Sequence, residues 1–220
     1  MWSRPFEFGQ FKLRVEEAWG ESIGGTVWEG GVLMARYLSC NAVFPKAAFE
    51  GQRCIEIGAG VTALPSLVAA HLGCFREVVI TDVDECLEAL SDNVAANLPA
   101  NCKLDLLQHS RGAWDGISHV RIEELDWQED VRFLEPPYDV LLVADVVYVV
   151  ELMEPLLKCM AALSTPRTKV IFAYYERSAA AAREFWSLIP DYFTWQKVPD
   201  ASYGAPPHAD NLGIFLLTKV

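Results

Sequence analysis

The amino-acid sequence predicts an α/β fold, a doubly wound Rossmann-like sandwich built on a seven-stranded, mostly parallel sheet with a C-terminal antiparallel hairpin. Three observations predict it. Short runs rich in Val, Ile and Leu alternate along the chain with helical patterns. These runs are apolar on both faces, which is typical of strands buried in a parallel sheet. The last two runs are separated by a turn-rich stretch without a helical pattern, which indicates an antiparallel hairpin.

The predicted elements follow one another as one helix, five strand–helix units and the hairpin. The strands are predicted at residues 53–57, 77–81, 120–125, 139–144, 168–174, 194–198 and 213–219. The helices are predicted at residues 29–38, 62–72, 85–97, 152–163 and 179–188. The stretch at residues 103–119 has no clear periodicity, and we expect a surface loop there. In such a fold, ligands bind at the carboxyl ends of the strands.

The composition limits the classes of partner. A chain of 220 residues with 52% hydrophobic and 22% charged residues is typical of a single globular domain. Eighteen basic and thirty acidic residues give a formal net charge of -12, which argues against nucleic acid as the main partner. No apolar run reaches the roughly 18 residues of a membrane-spanning helix. We therefore expect no nucleic-acid partner and no membrane partner.

The cysteines and histidines indicate the setting of the protein. Six cysteines are scattered without a CxxC pair, and a chain of this size does not need disulfide bonds. We therefore expect a reducing, intracellular setting: the cytoplasm, with the nucleus as the alternative. The four histidines lack the spacing to cysteines or carboxylates that a metal site requires, so no metal site is predicted.

Two glycines, Gly58 and Gly60, follow the first predicted strand and precede a helix, in the sequence EIGAG. Without side chains, the backbone of such a turn can approach a ligand closely, and the helix N-terminus offers free N–H groups. Asp82 ends the second strand, in ITDVD, where a carboxylate can accept both hydrogen bonds of a ribose diol. These residues predict a site for a nucleotide-like cofactor.

The glycine turn by itself fits both a nicotinamide dinucleotide and S-adenosylmethionine, because GAGVTA satisfies the loose dinucleotide pattern. Glu56, two residues before Gly58, would face a pyrophosphate unfavourably but suits a ligand that carries an ammonium and a sulfonium. The predicted hairpin also differs from dinucleotide folds, which usually end on a parallel strand. Both features favour S-adenosylmethionine and leave an NAD(P) oxidoreductase as a rival interpretation.

Six segments occur in a fixed order: GGTVWEGG, EIGAG, ITDVDECLEALSDNVAAN, ELDW, ADVVY and YYERS. In this combination they resemble the seven-strand S-adenosylmethionine-dependent methyltransferases of family 16, which is rich in protein-lysine methyltransferases. The resemblance covers almost the whole chain and is more specific than the glycine turn alone. It implies that Glu56, Gly58 and Gly60 form the cofactor loop and that Asp82 holds the ribose.

The resemblance also implies roles for residues outside the glycine loop. Trp127 would pack on or beside the adenine, and Ala144 would line the cofactor pocket. Trp28 resembles a tryptophan that covers the cofactor from the N-terminal side. Each tryptophan, taken alone, also fits a place in the hydrophobic core.

Asp145 and Tyr148 match the DxxY motif at the end of the fourth predicted strand, which in this family faces the incoming amine. They are the candidate catalytic residues. Family members often have a third glycine where this chain has Thr62, and we expect Thr62 to cap the following helix instead. Glu176 and Arg177 follow the fifth strand, and an internal ion pair between them is expected to support the site.

The resemblance implies methyl transfer from S-adenosylmethionine, with S-adenosylhomocysteine as the product, to a side-chain amine of a protein substrate, with lysine as the leading candidate. Two alternatives are a small-molecule N-methyltransferase and a non-catalytic cofactor-binding scaffold. Residues 28–220 are expected to form one methyltransferase domain, and residues 1–27 an N-terminal extension that packs on the cofactor side. A monomer is expected.

Overall fold

The structure, a computed structural model, describes residues 2–18, 23–105, 116–204 and 211–220. Its strands are β1 (Trp2–Phe8), β2 (Phe11–Glu17), β3 (Arg53–Ile57), β4 (Glu77–Asp82), β5 (Cys102–Leu104), β6 (Ser118–Glu124), β7 (Val140–Ala144), β8 (Lys169–Tyr175), β9 (Phe193–Lys197) and β10 (Leu212–Lys219). Its α-helices are α1 (Glu29–Ser39), α2 (Leu64–Leu72), α3 (Asp84–Asn97), α4 (Met153–Leu163) and α5 (Ala179–Leu188).

The main sheet has the strand order β5-β6-β4-β3-β7-β8-β10-β9. All neighbours from β5 to β8 are parallel. The final strand, β10, runs antiparallel to both β8 and β9, between which it is inserted. The α/β, mostly parallel architecture and its C-terminal antiparallel hairpin are therefore confirmed.

The sheet has eight strands, one more than predicted. The additional strand is β5, which pairs in parallel with the first residues of β6. Three residues are too few to show an alternating pattern, and the strand is defined by its backbone pairing with β6. The loop predicted at residues 103–119 thus has strand residues at both ends, and residues 106–115 lie outside the described residues. The strand–helix units number four rather than the predicted five, since the connection between β6 and β7 carries a short 3-10 helix, Val131–Leu134, and no α-helix.

Helices cover both faces of the sheet. The core on one face includes residues of α1, α2 and α3, and the core on the other includes residues of α4 and α5. Successive residues of the central strand alternate between them, with Cys54 in the first core and Ile55 in the second. This two-sided burial explains why the strands are apolar almost without interruption. In the described part of the chain, no helix combines the length and the apolar character needed to cross a bilayer.

The N-terminal hairpin lies outside the main sheet. Its strands, β1 and β2, are joined through Gly9 and Gln10, and Gly9 has φ +59°, which glycine adopts readily in such turns. The buried face of β2 carries Phe11, Leu13 and Val15 and packs against α3 and α2. The sequence analysis assigned no element here, although FKLRVE alternates with the two-residue period of a strand. A domain boundary at residue 28 stays a prediction.

Candidate active site

A cavity of about 330 Å³ lies at the carboxyl ends of β3, β4 and β7. Its volume is in the range of small-molecule and cofactor sites. The structure brings together all nine residues that the sequence analysis selected for cofactor binding and catalysis, and their individual roles stay predictions. The nine that line the cavity are Trp28, Glu56, Gly58, Gly60, Asp82, Trp127, Ala144, Asp145 and Tyr148.

The glycine loop is shaped for a close backbone approach. Gly58 and Gly60 have φ +66° and +61°, a region that other residues rarely adopt. A Cβ atom on Gly58 would lie 3.0 Å from Val146 and 3.1 Å from Trp127. A Cβ atom on Gly60 would lie 2.8 Å from the carbonyl oxygen of Gly24. Both positions therefore favour glycine by conformation, and Gly60 also requires it for space, because a Cβ atom there would overlap a backbone carbonyl.

Asp82 is held by two backbone N–H groups. Its Oδ2 accepts a 2.7 Å hydrogen bond from the Gly60 N–H, and its Oδ1 accepts a 2.9 Å bond from the Val83 N–H. A carboxylate offers about four acceptor positions, so each oxygen keeps one for a ligand. The Asp82 side chain is thus held at the cavity wall, and its two oxygens can still accept the two hydrogen bonds of a ribose diol, as the predicted role requires.

Glu56 is a buried acid in the middle of β3, with 1% of its surface exposed. Its Oε2 accepts a 2.9 Å hydrogen bond from the backbone N–H of Ser66 in α2. Burial raises the pKa of Glu56 to about 8, and repulsion from Asp82 adds to this, against the opposing hydrogen bonding from Ser66. A cationic ligand group beside the carboxyl would favour its ionised form.

Thr62 does not cap α2, and the prediction that it does was wrong. The residue before the first turn of α2 is Ala63, which has φ +42° and makes no side-chain capping hydrogen bond, and the Ser66 N–H of the first turn donates to Glu56 instead. Thr62 is buried and lines the cavity instead. The helix α2 begins two residues later than predicted, because the left-handed Ala63 completes the glycine-loop turn.

Arg177 is stacked between two aromatic rings at the edge of the cavity. Its guanidinium carbon lies 4.6 Å from the ring centre of Trp28 and 4.1 Å from that of Tyr175. It also forms ion pairs with Glu29 at the start of α1 and with Asp145 at the end of β7, the latter at 3.2 Å. Arg177 thus joins the segment that carries Trp28 to the sheet.

Asp145 is buried, with 4% of its side chain exposed, and both of its oxygens are engaged. Oδ2 accepts a hydrogen bond from the Gly30 N–H, and Oδ1 accepts two from Arg177. Burial raises the pKa of Asp145 even though Arg177 stabilises its ionised form. The predicted ion pair between Glu176 and Arg177 was wrong, because the partners of Arg177 are Asp145 and Glu29.

Tyr148 is the second candidate catalytic residue, and its hydroxyl is a proton donor at neutral pH. Burial raises the pKa of Tyr148, and repulsion from Asp82 adds to the effect. The phenol is therefore neutral and can both donate and accept a hydrogen bond. The repulsion from Asp82 indicates that Tyr148 lies near the predicted ribose site.

The charges of the cavity suit a cationic ligand. Five acids belong to its lining, whereas Arg177, the basic residue among the described lining residues, is already paired with carboxylates. A cofactor with a ribose and a positively charged amino-acid part fits these residues, whereas a pyrophosphate does not. The five acids are Glu56, Asp82, Glu85, Asp126 and Asp145. Among the described residues, no cluster of side chains is suited to a metal ion.

The sequence analysis missed several residues of the cavity. Gly24 and Val27, which precede α1, belong to its lining, and the Gly24 carbonyl accepts a 2.9 Å hydrogen bond from the Val61 N–H of the glycine loop. Arg177 was singled out but given the wrong partner. The position of Arg177 soon after a predicted strand could have indicated its place in the site, since side chains at strand ends meet at the ligand-binding edge of the sheet.

Comparison with known proteins extends these observations. The sequence profile of the family described as "Lysine methyltransferase" matches residues 7–191. Protein N-lysine methyltransferase METTL21A of Mus musculus is 29% identical, over 88% of this chain and 79% of that protein. EEF1A lysine methyltransferase 3 of Mus musculus is 28% identical, over 87% of this chain and 74% of that protein. The structure of precorrin-6y C5,15-methyltransferase from Geobacter metallireducens matches with a TM-score of 0.53 at 11% identity, over 93% of this chain and 92% of that one.

The solved structure, at this low identity, shows the fold alone. The fold, the cavity and the family profile together define a Rossmann-like methyltransferase whose cofactor is S-adenosylmethionine. Because the family profile spans most of the sequence, the chain belongs to the lysine methyltransferase family.

Proposed function

We propose that this protein transfers a methyl group from S-adenosylmethionine to the side-chain amine of a lysine in a partner protein. One observation carries the proposal: in a chain of the lysine methyltransferase family, a single cavity joins the cofactor acids Glu56 and Asp82 to the DxxY residues Asp145 and Tyr148. Relatives named as protein N-lysine methyltransferases support a protein as the partner.

The protein's task in this reaction is to present a neutral amine. S-adenosylmethionine, when bound, supplies an electrophilic methyl group on a sulfonium. A free lysine has a pKa of about 10.4 and is almost fully protonated at neutral pH, so it lacks the lone pair needed for attack. Aromatic walls such as Trp28 and Tyr148 exclude water, and exclusion of water favours the neutral form of an amine.

The hydrogen bonds around Asp145 support a positioning role. Its two oxygens already accept bonds from Gly30 and Arg177, and these bonds favour the ionised carboxylate. Removal of the amine proton by Asp145 would break this arrangement. The neutral hydroxyl of Tyr148 is better suited to accept a hydrogen bond from the amine and orient its lone pair.

Other functions are less well supported. Five acids around the cavity disfavour the pyrophosphate of NAD(P). The relatives favour neither a small-molecule N-methyltransferase nor a non-catalytic scaffold. They are named as a protein N-lysine methyltransferase and as an EEF1A lysine methyltransferase. The complete DxxY motif at the cavity also supports catalysis over a scaffold role.

The proposal is tested with isotope-labelled S-adenosylmethionine and a cell lysate, followed by mass spectrometry of the labelled proteins. We expect the label on lysine side chains of one or a few proteins. The Tyr148→Phe variant is expected to lose most of this labelling while still binding S-adenosylhomocysteine. Label confined to small molecules would contradict a protein substrate, and label on a residue other than lysine would contradict the target.

The division between cofactor and catalytic residues has its own test. We expect Asp82→Ala to weaken S-adenosylmethionine binding in calorimetry, and Asp145→Ala to lower turnover more than cofactor affinity. Glu129→Ala is a suitable control, because Glu129 is an exposed acid outside the cavity lining. Unchanged cofactor affinity in Asp82→Ala would refute the ribose assignment.

We also propose a cytoplasmic location, with the nucleus as the second candidate compartment, and a monomeric state. None of the six cysteines forms a disulfide bond in the described part of the chain, which suits a reducing compartment. Subcellular fractionation and light scattering of the purified protein test these two points. Secretion of the protein, or a dimeric mass at micromolar concentration, would contradict them.

A further inference from the structure

A second groove, of about 250 Å³, lies beside the cavity, between the N-terminal hairpin, α1 and the start of β10. Most of its lining is apolar, and two arginines border it. The lining residues are Arg4, Val27, Trp28, Glu29, Val32, Leu33, Arg36 and Leu212. We call it the arginine groove.

The arginine groove shares a wall with the candidate active site. Val27 and Trp28 line both spaces. Glu29, which belongs to the groove, is ion-paired with Arg177, which belongs to the cavity. A chain segment in the groove would therefore lie next to the cavity, with Val27 and Trp28 as the shared wall.

The charge of the groove is opposite to that of the whole protein. The chain has a formal net charge of -12, yet the groove carries two exposed arginines. The Arg4 guanidinium lies 4.8 Å from the ring centre of Phe6. Neither Arg4 nor Arg36 forms an ion pair with a carboxylate of the described chain. Glu29 is ion-paired with Arg177, which it shares with Asp145, and Arg4 also contributes to lowering the pKa of Glu29. The groove thus offers two exposed cations and one carboxylate that is ion-paired with Arg177, above an apolar floor.

We propose that the arginine groove binds the segment of the protein substrate next to the target lysine, and that this segment carries both carboxylate and apolar side chains. The inference rests on the proposed function. The two guanidiniums attract acids and can hold carboxylates in bidentate fashion, while Val32 and Leu33 contact apolar side chains. The target lysine then passes Trp28 into a cavity lined by acids.

The test measures peptide binding and methyl transfer separately. The probes are fluorescein-labelled peptides with one central lysine, flanked on one side by alternating Glu and Leu, or by alternating Lys and Leu. Fluorescence anisotropy with the S-adenosylhomocysteine complex gives affinity, and labelled S-adenosylmethionine gives the rate of transfer. We expect the acidic peptide to bind at least roughly fivefold more tightly than the basic one, as two exposed ion pairs allow.

The charge-reversal variant Arg4→Glu/Arg36→Glu is expected to lose this preference or invert it. Its matched control is Arg76→Glu/Arg183→Glu, which changes the net charge equally at two exposed arginines outside both linings. The control should keep the preference of the wild type. Both variants should bind S-adenosylhomocysteine as the wild type does, because none of the four arginines lines the cavity.

Each outcome decides a different point. Equal binding of the two peptides by the wild type, or an unchanged preference in Arg4→Glu/Arg36→Glu, would overturn the proposal. Tighter binding of a short single-stranded oligonucleotide, or a dimer that disappears in this variant, would assign the groove to another occupant and also overturn it. An acidic preference without methyl transfer to any lysine would support the groove and refute the proposed function.

Discussion

Glu56 shows how burial and charge compete at a single residue. The sequence places an acid in the middle of an apolar strand, and the structure buries it with one backbone hydrogen bond, from Ser66. Desolvation prevails and raises the pKa of Glu56 to about 8. The residue that suits a cationic cofactor is therefore largely protonated in the free protein at neutral pH, and its ionised form must be stabilised by the ligand.

This raised pKa predicts a stability that falls as the pH rises. The folded state holds the Glu56 proton more tightly than the unfolded chain, so the favourable contribution is full below about pH 4.5 and is lost as the pH rises through about 8. The expected slope between these values is about 1.4 kcal/mol per pH unit. We expect Glu56→Gln to remove this contribution, as measured by urea unfolding at pH 5.5, 7 and 8.5. Parallel pH dependences in the two proteins would contradict the assignment.

Arg177 provides a second prediction at this scale. In Arg177→Met the buried Asp145 loses its counter-ion, and Trp28 loses its cationic neighbour. We expect the free energy of unfolding to fall by about 2–4 kcal/mol and the acid limb of the pH–rate profile to move to higher pH, because the pKa of Asp145 rises further. Arg177→Lys should be intermediate, since it keeps the charge but not the planar stacking. An unchanged pH–rate profile in Arg177→Met would exclude this positioning role.

At the scale of elements, α3 joins the N-terminal hairpin to the glycine loop. The amide of Asn93 accepts a 2.7 Å hydrogen bond from the Glu16 N–H of β2 and donates to the Glu16 and Val61 carbonyls at 2.9 and 2.8 Å. Asn97, one turn later, makes the same paired contacts with the backbone of Arg14. The asparagine side chains of α3 thus supply hydrogen bonds to the backbone of β2 that a neighbouring strand would otherwise supply.

This arrangement predicts a large effect of Asn93→Ala. Asn93 is buried, and its removal leaves a backbone donor and two carbonyls without partners, so we expect a loss of about 2–4 kcal/mol in unfolding free energy. Cofactor affinity should fall too, because the glycine loop loses its tie to α3. Asn97→Ala is the control, with an expected loss of about 1 kcal/mol or less at its less buried position. The two variants are compared by denaturant unfolding and calorimetry, and equal losses would refute the special role of Asn93.

At the scale of the whole molecule, the two ends of the parallel strands have different tasks. Ligand-facing acids collect at the carboxyl ends, whereas the amino ends carry a buried ion-pair cluster. Glu77 of β4 accepts from Arg53 of β3 at 2.6 Å and from Arg121 of β6 at 3.0 Å. These arginines lower the pKa of Glu77 against the effect of burial. The cluster joins three adjacent strands far from the cavity.

We expect Glu77→Gln to destabilise the fold by about 3–5 kcal/mol, because it leaves two buried guanidiniums without their shared carboxylate. The contribution of Glu77 is present above pH 4.5 and is lost as the pH falls through its lowered pKa. Cofactor affinity of the folded variant should be unchanged. We expect Glu123→Gln, which removes a more exposed partner of Arg121, to lower the free energy of unfolding by about 1 kcal/mol or less. Thermal and urea unfolding with cofactor titration measure both, and a weakened cofactor affinity in Glu77→Gln would contradict this separation.

Most of the fold could be predicted from the sequence, because seven of the eight strands of the main sheet and all five helices are long enough to show a periodic pattern. The three residues of β5 show none. The strand β2 of the N-terminal hairpin does show the two-residue alternation of a strand, in FKLRVE. The nine site residues could be selected because each stands at a strand end or in a recognisable motif, and one cavity contains all of them.

The sequence by itself determined the order of strands and helices, the edge of the sheet that binds ligand, and the family of the protein. Those features depend on periodicity and on motifs of neighbouring residues. Only the tertiary structure decided which groups meet: it pairs Arg177 with Asp145 and Glu29, joins Asn93 to the hairpin, and places Arg4 and Arg36 in the lining of one groove beside Trp28. The physical reason is that charge pairing and pKa depend on distance and burial in space, and residues far apart in the chain carry no local signal of either.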